Sequence, residues 1–157
     1  MQKLVTFLWF DTEAEAAATF YVSLIPNSKL GAVQRYGAAG PGKAGSVMTV
    51  EFELDGAPFV ALNGGPVYKL TEAFSLQVPC DDQPEIDRLW AAITADGGEE
   101  SQCGWCKDRF GLSWQIVPAR MPQLIGGPDP EKARRAMQAM FQMKKLDIAA
   151  LERARAG

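Results

Sequence analysis

Hydrophobic and polar positions along the 157-residue chain fall into two rounds of one rhythm. Leu4 to Phe10 (LVTFLWF) is dense in branched and aromatic residues and predicts a buried strand. Thr12 follows as a helix N-cap, with Glu15 completing a capping box. Ala17, Phe20, Tyr21 and Leu24 then recur at i, i+3, i+4 and i+7, one face of a helix. Ile25-Pro26-Asn27 stops it, because proline cannot continue the hydrogen-bond ladder. Ser28 to Tyr36 is a weaker strand, and GAAGPGKAG (37–45) is a mobile loop. Ser46 to Leu54 alternates, with Val47, Thr49, Glu51 and Glu53 on one side and Met48, Val50, Phe52 and Leu54 on the other. Asp55-Gly56 is a hairpin turn, and Pro58 to Asn63 returns as the partner strand.

The second round repeats the first. Phe74 to Val78 is a strand, Asp82 and Glu85 form a capping box, and Ile86, Leu89, Trp90 and Ile93 carry the helical face. These four lie 69 residues after Ala17, Phe20, Tyr21 and Leu24. Asp96-Gly97-Gly98 ends the helix in glycine. Glu99 to Cys103, Trp105 to Arg109 and Leu112 to Val117 supply three more strands. The turns at Gly56 and Gly111 stand 55 residues apart, and the glycine loop with its flanks accounts for the 14-residue difference. The chain thus holds an internal repeat of strand, helix and three strands. Beyond it, Asp129-Pro130 opens a helix striped with Ala133, Ala136, Met137, Met140 and Phe141. Asp147 caps a last helix, with Leu146 and Leu151 placed as a hydrophobic staple.

Two βαβββ units, with FLWFD opening the first, MTVEFELDG and FVALNGGP closing it and CGWCKDRFGLSWQIVP closing the second, resemble the vicinal-oxygen-chelate superfamily. This is the glyoxalase, bleomycin-resistance and dioxygenase fold. Within it the chain is similar to the PhnB-like branch, often labelled a 3-demethylubiquinone-9 3-methyltransferase domain, and the likeness extends to AMQAMFQMKKLDIAALERA. The resemblance implies an α+β fold in which each unit curls into a half-barrel. The two cups together would form a pocket, and the family commonly forms homodimers. The expected organisation is a single domain over 1–157, made of modules 1–66 and 67–120 and a helical extension 121–157.

Metal-using relatives place four ligands in this pocket, on the first and last strand of each unit. Strand-by-strand comparison puts those positions at Thr6, Ala61, Ala73 and Gln115. Two alanines coordinate nothing, and threonine and glutamine are weak ligands, so no metal and no cofactor is expected. The methyltransferase label meets a separate difficulty. An S-adenosylmethionine site would use a glycine-rich turn between a strand and a helix of a doubly wound sheet. Gly40-Pro41-Gly42 and Gly64-Gly65 occupy neither kind of place.

Strand alternation selects a pocket lining, since successive side chains point to opposite faces. Phe7, Trp9, Trp114 and Ile116 are expected to face the helices. That leaves Thr6, Leu8, Phe59, Asn63, Ser75, Gln77 and Gln115 in the cup, with Arg109 at the last turn as a candidate for an anionic group. Asp108 reads as a turn aspartate bonding the backbone. Cys103 and Cys106 have CxxC spacing but precede a strand, so the expected role is structural.

Composition narrows the partners. A net charge of −3 argues against general nucleic-acid binding. The basic positions 132, 134, 135, 144 and 145 read as a solvated helix face. The chain has no histidine, which removes histidine-dependent triads and the HExxH metal site. No apolar run has the length of a membrane span, and three cysteines with no export pattern suggest the cytoplasm. The leading expectation is metal-independent binding of a small, largely apolar molecule, without transformation. A metal-assisted isomerase or lyase and a ligand-free dimeric interaction module stand as alternatives.

Overall fold

In the computed structural model, which describes residues 2–157, the two rounds of the pattern form two units that part at Leu70. The first contains β1 (Thr6–Phe10), α1 (Ala14–Leu24), β2 (Lys29–Arg35), β3 (Val47–Leu54) and β4 (Ala57–Asn63). Its sheet runs β1-β4-β3-β2, with β1 parallel to β4 and the other neighbours antiparallel. The second contains β5 (Ser75–Cys80), α2 (Gln83–Thr94), β6 (Glu99–Glu100), β7 (Trp105–Lys107) and β8 (Ser113–Pro118). Its order is β5-β8-β7-β6, and β5 is parallel to β8. Three helices complete this unit, α3 (Met121–Ile125), α4 (Pro130–Met140) and α5 (Ile148–Ala156). The fold is α+β, built from two βαβββ modules with C-terminal helices, and both sheets stay open.

Each sheet buries one face under its own helix. Tyr21 of α1 sits 6.3 Å, ring to ring, from Phe52, which stacks on Phe59 at 5.2 Å. Ala14, Ala17, Ala18 and Leu24 complete the buried stripe of α1, and Phe20 is only half-buried. In the second unit α2 buries Ile86, Leu89, Trp90 and Ile93, the predicted face, and packs on β8 and β7.

The faces of the first sheet are the reverse of the expectation. Leu8, Phe59 and Ala61, assigned to a pocket, lie in the core with Val50 and Phe52. Phe7, assigned to the core, is 61% exposed. Trp9 shares the face of Phe7, where its indole N–H donates to the Gly65 carbonyl (2.9 Å) and its ring meets Tyr68 edge-on at 5.0 Å. Two causes combine. The bulk of Phe7 and Trp9 suggested burial, and the connection into α1 (11–13) is one residue longer than that into α2 (81–82). One residue of slip moves every side chain of a strand to its other face.

Helix starts follow local chemistry, with one exception. Asp82 accepts from the Glu85 N–H (2.9 Å), while the Glu85 carboxylate reaches back to the Asp81 N–H (2.9 Å). Asp129 and Asp147 cap α4 and α5, and Leu146 and Leu151 are fully buried. Thr12, however, does not cap α1. Asn63 does so from the end of β4, its Oδ1 accepting from the Ala14 N–H (2.8 Å) while its amide donates to the Val47 carbonyl (3.1 Å). On the far side of the sheet, β2 is an edge strand with all seven residues exposed. Its pairing with β3 is interrupted by register shifts at Leu30/Val33 and Gln34/Arg35.

The turns of the second unit do more than reverse the chain. Cys103 (φ 57°) and Gly104 (φ 86°) form the bend between β6 and β7, where Cys103 was expected to end a strand. Their N–H groups donate to the Met143 and Lys144 carbonyls (2.9 and 2.8 Å), and the Gly104 carbonyl accepts from the Ile116 N–H (2.8 Å). A β-carbon on Gly104 would stand 2.8 Å from the Ile116 carbonyl oxygen and 2.9 Å from Leu146 Cδ1. At the next turn Asp108, 2% exposed, accepts from the Phe110 N–H (2.8 Å), the Leu112 N–H (3.1 Å) and the Trp114 indole (2.9 Å).

Gly104→Ala therefore combines a strained positive φ with a clash against backbone. Urea unfolding should show a loss of about 2 kcal/mol or more. Asn63→Ala removes the α1 cap together with the hydrogen bond to the Val47 carbonyl and should cost about 2 kcal/mol in the same measurement.

Candidate functional site

The face of the second sheet turned away from α2 carries polar side chains in register. Gln77 pairs with Gln115, which pairs with Trp105. Ser75 pairs with Ser113, which pairs with Lys107, which pairs with Glu99. Trp114, Ile116 and Cys106 take the alternate positions and are buried. Within the first of these rows Gln77 Nε2 donates to Gln115 Oε1 (3.2 Å), and Gln115 Nε2 donates across to Ser75 Oγ of the second (2.9 Å). The chain of bonds fixes the carboxamide of Gln115, which is half-buried, and among the described residues leaves the exposed Gln77 with an acceptor and a donor to spare. Three sequence-selected residues are thus brought together.

The others are not. Thr6 is half-buried on the α1 side, Leu8 and Phe59 are core, and Asn63 spends both ends of its amide on backbone. Arg109 is exposed on the turn, its guanidinium 4.5 Å from the Phe110 ring centroid. Sequence reasoning missed a charged group on the same face. The Lys107 ammonium lies 2.8 Å from Glu72 and 3.5 Å from Glu99. That bond to Lys107 holds the Glu72 carboxyl below its ordinary range, and Glu72 in turn raises the lysine. No local motif links positions 72, 99 and 107, since only sheet register joins them.

A divalent metal does not fit the residues present. Ala61 is buried beneath α1 and Ala73 offers no donor. The pair in the first sheet that occupies the register of Gln77 and Gln115 is Phe7 and Val60, which offers none either. Among the described residues no group of three or more Cys, Asp or Glu side chains is disposed to hold an ion.

The family described as 3-demethylubiquinone-9 3-methyltransferase matches residues 2–117. A PhnB protein from Bacillus cereus carrying that same name is 34% identical over 75% of this chain and 100% of its own, with a TM-score of 0.68. The chain belongs to this family. A structure from Pseudomonas aeruginosa, 21% identical over 75% of this chain and 98% of its own, shares the fold at a TM-score of 0.61. No curated protein matches. The PhnB-like fold does not support the methyltransferase label. The connections from β1 into α1 and from β5 into α2 are Asp11-Thr12-Glu13 and Asp81-Asp82, acidic where an S-adenosylmethionine site needs glycine.

The cysteines are unpaired, and two are buried. Burial pushes the Cys80 and Cys106 thiols up to about 12. At pH 8 the thiolate fraction of each should be about 10⁻⁴. In the native protein iodoacetamide should label half-buried Cys103 first and leave Cys80 and Cys106 until unfolding. The raised thiols also contribute stability below the unfolded thiol pKa, near 8.5. That stability should fall as pH rises from there toward 12, and Cys106→Ala should flatten the slope in alkaline urea titrations.

Proposed function

We propose that this PhnB-like protein binds a small, largely apolar molecule without a metal, holding it on the open face of the second sheet. The observation that carries the reading is the bonded row Ser75, Gln115 and Gln77. A metal-using relative would be expected to carry a charged ligand at the Gln115 position, whereas this chain has an amide locked by two neighbours. Carboxamides read hydrogen-bonding groups of a ligand but neither ionise nor hold a divalent ion tightly. Trp105, at the end of the row, supplies an aromatic wall. The reading includes a homodimer, since Phe7 and Phe141 are 61% and 57% exposed, and a cytoplasmic setting in keeping with the free thiols.

A thermal-shift screen over a small-metabolite library and over Mn²⁺, Ni²⁺ and Fe²⁺ tests this. A ligand should raise the melting temperature progressively with its concentration, as RT ln(1 + [L]/Kd), and Gln115→Ala should weaken that ligand about tenfold. A metal response reversed by chelator would overturn the reading in favour of a metal-assisted isomerase or lyase. Light scattering checks the dimer.

A further inference from the structure

At the edge of the open face lies a hollow of about 120 Å³, lined by Glu72, Glu99, Ser101, Trp105, Lys107 and Ser113, with Glu100 and Cys106 completing its wall. Its floor is Ser113, which is 2% exposed and whose hydroxyl has no hydrogen-bond partner among the described residues. A buried hydroxyl in this condition costs free energy, and such groups persist where something outside the chain satisfies them. Above it two carboxylates, Glu72 and Glu99, share a single ammonium, that of Lys107. The rim therefore keeps one uncompensated negative charge. Glu100 adds nothing to it, because its carboxylate accepts from the Trp90 indole and faces Lys144 on the other side of the strand. Trp105 lies on the same face of β7 as Lys107 and offers its ring to a cation.

We infer that this hollow receives the ammonium end of a small amine, with Ser113 Oγ accepting an N–H, Glu72 and Glu99 balancing the charge, and Trp105 flanking the carbon stem. The volume suits this, being room for about four waters or for an ammonium on a short alkyl chain. An anion is disfavoured, since Lys107 is already held between two carboxylates. The inference deepens the proposed function and rests on it: the molecule held by Ser75, Gln115 and Gln77 carries an amine that enters the hollow at the adjoining Ser75-Ser113-Lys107 row.

The test titrates n-propylammonium chloride into the full-length protein, with sodium propionate and 1-propanol as isosteric controls, followed in ¹H–¹⁵N spectra. Saturable shifts at Ser113, Lys107 and the Trp105 indole are expected with propylammonium alone, weakening as salt is added. Ser113→Ala should melt no lower than the parent, because it removes an unsatisfied hydroxyl, yet bind the probe about tenfold more weakly. Glu72→Gln, on the exposed rim, should weaken it as well. Propionate or propanol binding as tightly as propylammonium would overturn the inference, and so would an unchanged affinity in both variants. The two readings fail separately. Library ligands lost in Gln115→Ala without any propylammonium binding would sink only the amine site. Propylammonium binding in parent and Gln115→Ala alike, with no library ligand touching Gln77 or Gln115, would sink the face reading and leave the hollow as an amine site on its own.

Discussion

The second unit depends on one buried carboxylate. Asp108 takes the N–H groups of Phe110 and Leu112 and the indole of Trp114, so it closes the last turn and anchors the strand that follows. A buried carboxylate is tolerable only when hydrogen bonds replace its water. Here those bonds also settle which way β8 faces. With Trp114 tied to Asp108 and buried on the side of α2, Ser113 and Gln115 can point only to the open side. The polar row, the hollow and the alignment with Ser75 and Gln77 all follow from that choice of parity.

The two modules show what a shared backbone permits. In each sheet the first strand runs parallel to the last, and the same register pair sits at the middle of the open face. In one module the pair is Phe7 and Val60, in the other Gln77 and Gln115. The neighbouring cross-strand charges are also exchanged, Lys29 with Glu53 in the first and Glu99 with Lys107 in the second. The architecture is repeated while the chemistry at the centre of the open face has separated, an apolar pair in one module and a hydrogen-bonding pair in the other.

How much was legible in the sequence depended on the reach of the interaction. The helical stripes of α1 and α2, the caps at Asp82, Asp129 and Asp147 and the role of Asp108 are set within a few residues, and the sequence shows them. The row Ser75, Gln77 and Gln115 was legible too, because alternation from Trp114 fixed the face. The first sheet was not, since its parity rests on one extra residue before α1 and on a tryptophan whose partner, Gly65, lies 56 positions away. The cap from Asn63 to Ala14 spans 49 positions and leaves no local trace. The short α3 is too brief to show a period, and the grouping of Glu72, Glu99, Lys107 and Ser113 exists only once β6, β7 and β8 are in register.

The edge strand β2 has a consequence for how the protein behaves in concentrated solution. Seven exposed residues at the rim of a sheet present unpaired backbone groups on which another chain could grow. The register shifts at Leu30/Val33 and Gln34/Arg35 break the straight run of those groups, and Lys29 and Arg35 place a like charge at each end. A second copy approaching edge to edge in antiparallel fashion meets a kinked ladder and a repelling charge at both ends. Irregularity at the rim thus acts as a guard against fibrous growth, leaving the broad faces of the sheets as the surfaces open to association.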